Sequence, residues 1–160
     1  MTYVLKIFIE NEELRQKYEI SINEHNKQIY NRFHNAGFDL FCPEEISLNN
    51  NKVELNTKIV CAMYDLYEQP VAFYLYPRSS ISKTNLILAN SVGIIDNSYR
   101  GNIIGKFNNL KPEDLHLEKY SRLLQICSPL LQPFKVEIVN NLDELETTER
   151  GSGGFGSTGI

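Results

Sequence analysis

Asn90-Ser91-Val92-Gly93-Ile94-Ile95-Asp96-Asn97-Ser98-Tyr99-Arg100-Gly101-Asn102 runs directly into Ile103-Ile104. Two glycines bracket a turn built on Asp96-Asn97-Ser98, with β-branched residues on both sides. That pattern predicts a β-hairpin. A hairpin with free backbone edges can hydrogen-bond a planar base much as a neighbouring strand would. Asp96 sits just before the tip, where a carboxylate can orient a water. Tyr99, three residues on, offers a flat ring to a sugar. The same residues also describe a plain loop with an Asx-turn and a half-buried tyrosine, and locally both readings stand.

Outward from this stretch the pattern stays β. Residues Val53 to Cys61 alternate apolar and polar side chains for a whole strand, and Phe134 to Val139 do the same. Val71 to Tyr76, Ile103 to Phe107 and Leu123 to Cys127 are short β-branched or aromatic runs. Asn, Gly and Pro clusters at 49–51, Pro77, Asn97, 108–109, Pro129 and Pro133 separate them. Strands at this spacing predict an all-β fold, a sandwich or a jelly-roll-like barrel. A short helix is expected from Glu12 to Tyr18. The polar, Asn-rich residues 19–35 are expected to form a surface loop. The barrel domain is read as 1–145, and 146–160 as a glycine-rich C-terminal arm.

Composition limits the possible functions. The chain has 160 residues, 42% of them hydrophobic, and a formal net charge of -4. That balance argues against broad nucleic-acid binding through phosphates but leaves room for a local anion site. There is no apolar run long enough for a membrane span and no signal-like N-terminus. Cys42, Cys61 and Cys127 are three in number, far apart and without a C-x-x-C pair, and His25, His34 and His116 lack metal-ligand spacing. The expectation is a reducing compartment, cytoplasmic or nuclear.

Two further stretches carry chemistry. In Tyr76-Pro77-Arg78-Ser79-Ser80 a guanidinium fork and two hydroxyls follow a strand, and together they can hold a phosphate. The alternative is a strand-ending turn with a solvated arginine. The arm, Arg150-Gly151-Ser152-Gly153-Gly154-Phe155-Gly156-Ser157-Thr158-Gly159, supplies backbone N–H groups for an anion, a cation and a ring for stacking on a base. An ordinary Gly/Ser linker rarely contains Phe and Arg.

Taken together, these stretches resemble the trimeric-type dUTPase family in five ordered motifs. They are Ala36-Gly37-Phe38-Asp39-Leu40, Pro77-Arg78-Ser79-Ser80, Gly93 to Gly101, Arg122-Leu123-Leu124-Gln125 and the arm. The resemblance implies hydrolysis of dUTP to dUMP and pyrophosphate on a jelly-roll-like barrel. It implies a homotrimer with shared active sites, and an arm that closes over a neighbour's nucleotide. It assigns Asp96 to the attacking water and Arg78, Ser79, Ser80 and Gln125 to the α- and β-phosphates. Arg150, Ser157 and Thr158, with Gly156 beside them, fall to the γ-phosphate, and Phe155 to uracil stacking. Backbone groups from Gly93 through Ile95 to Ile104, with Asn90, would read the uracil edge, and Tyr99 would exclude a 2′-hydroxyl. Mg²⁺ would ride on the phosphates, with Asp39 near its water shell.

Ser80 stands where many dUTPases have glycine, and Arg-Ser-Ser is a spelling common in the related dCTP deaminases. The position resembling the deaminase glutamate is Lys106, which cannot act as that base. A third reading is a non-catalytic binding protein on the same fold. Residues 1–35 lie outside the resemblance, which runs from about residue 36 to the end, and leave a protein-binding role open.

Overall fold

The computed structural model describes residues 3–48, 50–111 and 115–154. Strand β1 (Tyr3–Ile9) alternates YVLKIFI and buries Tyr3, Leu5, Ile7 and Ile9. It runs parallel to β12 (Phe134–Val139) and antiparallel to β4 (Lys52–Asp65). The sheet continues through β9 (Asn102–Asn109) to β7 (Leu86–Leu88), and the two-residue β5 (Pro70–Val71) pairs with β4. A second sheet has the order β2 (Gly37–Leu40), β11 (Leu124–Cys127), β6 (Phe73–Pro77), β8 (Gly93–Ile95). β3 (Ile46–Leu48) and β10 (Leu115–Leu117) form a small third sheet. Apolar side chains such as Leu5, Ile7, Phe38, Leu40, Ile103, Phe107, Ile126 and Phe134 make one core between the main sheets. This is the mostly β, two-sheet packing that the alternating strands predicted.

Helix α1 corrects the expected polar loop. It runs Glu12–Gln28, ten residues past the expected end at Tyr18. The Asn11 side chain caps it by accepting from Leu14 N–H at 2.9 Å, and Glu12 and Glu13 favour its N-terminus. The polar second half stays helical because tertiary contacts override weak propensity. Ile22 is buried in the core. Asn26 pairs with the backbone of Val136 in both directions, at 2.9 and 3.0 Å. The His25 ring Nε2 lies 3.0 Å from the Phe134 carbonyl, to which it donates. These contacts cover the edge strand β12, whose outward backbone groups need partners.

The predicted hairpin is also corrected. β8 pairs with β6 in one sheet, whereas β9 pairs with β4 and β7 in the other. The segment around Asp96 therefore crosses between sheets. The turn chemistry was read correctly, but local signals do not say which partner each flank takes. Lys58 has φ +57° in the register shift between Asn56 and Val60. There the buried Thr57 hydroxyl donates to the Ile103 carbonyl at 2.7 Å and ties the shift to β9.

A small second cluster holds the root of the arm. Leu145 is fully buried with Ala62, Tyr64 and Val139, and the Tyr64 hydroxyl donates to its carbonyl at 3.0 Å. The 3₁₀ turn Leu142–Leu145 begins with a capping box between Asn141 and Glu144. Cys42, Cys61 and Cys127 are free and buried. Burial pushes the Cys127 thiol up to about 11.

Candidate active site

Two cavities take up most of the sequence-predicted site residues, and they take different ones. The first is a groove of about 340 Å³ floored by the second sheet. Asp39 on β2 lies opposite Gln125 on β11, and Gln125 opposite Tyr76 on β6. Arg78, just past β6, places its Nε 2.7 Å from an Asp39 oxygen, while Arg122 Nη1 is 3.2 Å from the other. One carboxylate thus aligns two guanidinium groups. Arg78 Nη1 also donates to the Arg122 carbonyl at 3.0 Å and to Ser80 Oγ at 3.3 Å. Ser79 lines the groove; Ser80 is turned toward Arg78 and the Arg122 carbonyl.

Gln125 lies flat across the floor, its Nε2 donating to the Pro77 carbonyl at 3.2 Å. That pose requires a glycine at 37, because a Cβ there would sit 2.2 Å from Gln125 Oε1. The far wall of the groove belongs to α1, through Ser21, Glu24, His25 and Gln28.

The second cavity, about 240 Å³, lies behind the crossing segment. Leu75, Leu88, Ile95 and Ile104 make it apolar; Asn90, Asp96, Tyr99 and Arg150 bring polar groups, and Gly93 and Gly154 close it. The backbone at Gly93 runs so close to β6 that a Cβ would come within 2.9 Å of the Leu75 Cβ. The Tyr99 hydroxyl donates to the Asn102 carbonyl at 2.8 Å and covers Gly101, where a Cβ would meet it at 2.4 Å. Burial raises the Tyr99 pKa. The phenol therefore stays neutral and hydrogen-bonded, with its ring in the cavity wall. Arg150 forms an ion pair with Asp96.

A flat apolar slot with a few convergent polar groups suits a planar base; a groove with paired arginines suits phosphates. The match to known proteins agrees. The family model described as dUTPase matches residues 24–159. The chain belongs to the dUTPase family. The deoxyuridine 5′-triphosphate nucleotidohydrolase of Rickettsia canadensis is 37% identical over 131 residues, 79% of this chain and 84% of that protein. The enzyme of the same name from Hydrogenobaculum is 34% identical over 128 residues, 78% of this chain and 84% of that one. Among solved structures, a dUTPase of Staphylococcus bacteriophage 80alpha covers 81% of this chain and 89% of its own, at 22% identity and a TM-score of 0.49.

Of the residues that the dUTPase motifs single out, Asp39, Arg78, Ser79 and Gln125 share the groove. Asn90, Gly93, Ile95, Asp96, Tyr99, Ile104 and Arg150 share the cavity. Within one chain the two sets line separate spaces. Phe155, Gly156, Ser157 and Thr158 lie outside the described residues.

The sequence reading missed three contributors. Arg100 joins the crossing segment to the arm. Its Nε donates to the carbonyls of Leu145 and Glu146 at 2.6 and 3.0 Å, its Nη1 to those of Asn97 and Tyr99 at 2.8 and 2.9 Å, and its backbone N–H to Gly151 at 2.7 Å. Arg122 was quoted in a motif but given no role. The α1 residues were placed in a loop, although Ser21, Glu24 and Gln28 have the i, i+3, i+7 spacing of one helix stripe.

Proposed function

We propose that this chain hydrolyses dUTP to dUMP and pyrophosphate. We further propose that each complete site draws on more than one copy of the chain, in a homotrimer. The observation that carries this is the division of the motif residues between two cavities. One has the chemistry for a base and a water, the other for phosphates, and neither suffices alone.

In the proposed reaction a water held by Asp96 attacks the α-phosphorus. A new P–O bond forms, the bond from that phosphorus to the α,β-bridging oxygen breaks, and pyrophosphate leaves with the electron pair. The water proton passes to Asp96. Arg78, Ser79 and Gln125 hold the α- and β-phosphates and the charge that develops on them. Asp96 is paired with Arg150, so Arg150 must exchange that carboxylate for phosphate before Asp96 can act. We assign Arg150 and the arm residues Phe155, Gly156, Ser157 and Thr158 to closing the site over a neighbouring copy's nucleotide. The barrel, 1–145, and the arm, 146–160, are then the working divisions of the chain.

Cytosine would present its donor and acceptor reversed at the buried edge, leaving partners unpaired. Tyr99 against the sugar leaves no space for a 2′-hydroxyl.

The donor set fits a Mg²⁺ that arrives on the substrate. Among the described residues no cluster of three or more His, Cys, Asp or Glu could cage a metal. The groove's two arginines are matched by Asp39 and Glu24, so a triphosphate must bring its own cation. When bound, Mg²⁺ would neutralise the phosphates and keep most of its waters; Asp39 and Glu24 are the carboxylates placed to accept from such waters. Against the deaminase reading, Lys106 pairs across β4–β9 with Glu54 at 3.7 Å and does not line the base cavity.

Mixing impaired variants, assayed at dUTP well below KM, tests the assembly. Asp96→Asn chains refolded together with Arg78→Ala chains should regain dUTP turnover, because some sites then take Asp96 from one copy and Arg78 from another. No recovery would place the whole site in one chain. Asp96→Asn mixed with chains truncated after Leu145 asks the same of the arm. Recovery means an arm working on a neighbour; none means that the Arg150–Asp96 pairing within one chain is the working arrangement.

A further inference from the structure

We propose that α1 is the second wall of the phosphate groove, and that the side-chain amide of Gln28 donates to a phosphate beyond those held at Arg78 and Gln125. This rests on the reading of the groove as the phosphate site.

The helix presents two stripes. Leu14, Tyr18 and Ile22 face the core, while Ser21, Glu24 and Gln28 follow the neighbouring stripe into the groove. Of the α1 residues that line the groove, Ser21 precedes residue 24, where the family match begins; Glu24, His25 and Gln28 lie within the match but outside the five motifs.

The wall is held firmly. The Tyr18 hydroxyl accepts from the buried Phe41 N–H at 2.9 Å, one residue beyond the strand that carries Asp39. Asn26 and His25 grip β12 as described above, and Arg15 donates to the Val139 carbonyl at 3.2 Å. The His25 ring packs on Phe38 and Phe134, each at 5.2 Å between centroids. Asn35 Nδ2 donates to Gln28 Oε1 at 3.2 Å. That contact uses the acceptor end of the Gln28 amide and leaves its two N–H donors for a ligand. A neutral donor adds hydrogen bonding to a groove whose formal charges already balance. Glu24, on the same stripe, repels a bare phosphate and favours one that carries its counter-cation.

The test is binding of dUMP, dUDP and a non-hydrolysable dUTP analogue to the full-length protein, with Mg²⁺, by calorimetry. Gln28→Ala should bind the triphosphate analogue about five-fold more weakly, as expected for one lost, partly exposed hydrogen bond to an anion. The affinities for dUMP and dUDP, which lack that phosphate, should be unchanged. Gln28→Glu should weaken the triphosphate analogue further by adding charge repulsion, and Gln16→Ala, elsewhere on α1, should change nothing. Equal losses for all three ligands would overturn the proposal, reducing α1 to a support of groove shape. Identical constants for wild type and Gln28→Ala would also overturn it. Failure of the wild-type protein to bind any of the three would instead sink the dUTP reading beneath it.

Discussion

The groove and the cavity are built on different terms. In the groove, charge is fixed in the sheet: Asp39 holds Arg78 and Arg122 on neighbouring strand ends, and Gln125 is laid flat over Gly37. In the cavity the floor is apolar, and the one cation that lines it among the described residues, Arg150, comes from the arm. That arm is tied down through Arg100 and through the Thr148 hydroxyl, which donates to the Ser98 carbonyl. The groove's paired arginines are thus part of the permanent scaffold, whereas the charge beside Asp96 depends on a short segment at the chain's end. Binding and chemistry should therefore fail separately.

The largest effect should come from Asp96→Asn. It should lower kcat about 10³-fold, in the range expected for a lost general base, with little change in melting temperature or in affinity for a dUTP analogue. A comparable loss of affinity would break the distinction. Arg78→Ala should cost about 10²-fold in kcat/KM, mostly through KM, because Arg122 still faces Asp39. A loss confined to kcat would show the groove to be catalytic rather than a binding floor.

Arg100→Ala should release the arm. Four carbonyls lose a charged donor, at a cost of about 2 kcal/mol. The loss is moderated because Arg100 Nη2 is buried with no partner among the described residues and gains nothing at present. Hydrogen exchange should speed up across residues 147–154 while the groove strands stay protected. Equal acceleration of both regions would mean that they unfold as one unit. Tyr18→Phe removes the acceptor for the buried Phe41 N–H and should cost about 1–2 kcal/mol, seen as a lower midpoint in urea.

The smallest effect concerns pH. Burial holds the His25 pKa below its ordinary value of about 6.5, against the opposing Phe134 carbonyl and Asp39 charge. The unfolded chain then binds the proton more readily. The stability from neutral His25 is complete above the unfolded value and is lost as pH falls from about 6.5 toward the depressed folded value. The melting temperature of wild type should drop more steeply over that interval than that of His25→Gln; parallel curves would refute the assignment.

The legible parts of this chain are those whose physics is local. Two-residue alternation marks β4 and β12, since one face of a strand must be buried. The candidate groups of the groove and the cavity are legible as well, because Arg-Ser-Ser, Asp96 with Tyr99, and Arg150 at the start of the glycine-rich arm carry their chemistry within a few residues. What lay beyond the linear chain was pairing. The flanks of Asp96 join different sheets, because neighbours are chosen by packing over long sequence distances. Residues 19–28 are helical because β12, more than a hundred residues later, offers backbone groups to His25 and Asn26. Arg100 shows no sign of its role in sequence, since its Nε and Nη1 donate to carbonyls, which every residue has. Folding alone decided that the arginine groove and the Asp96–Tyr99 cavity are separate spaces in one chain.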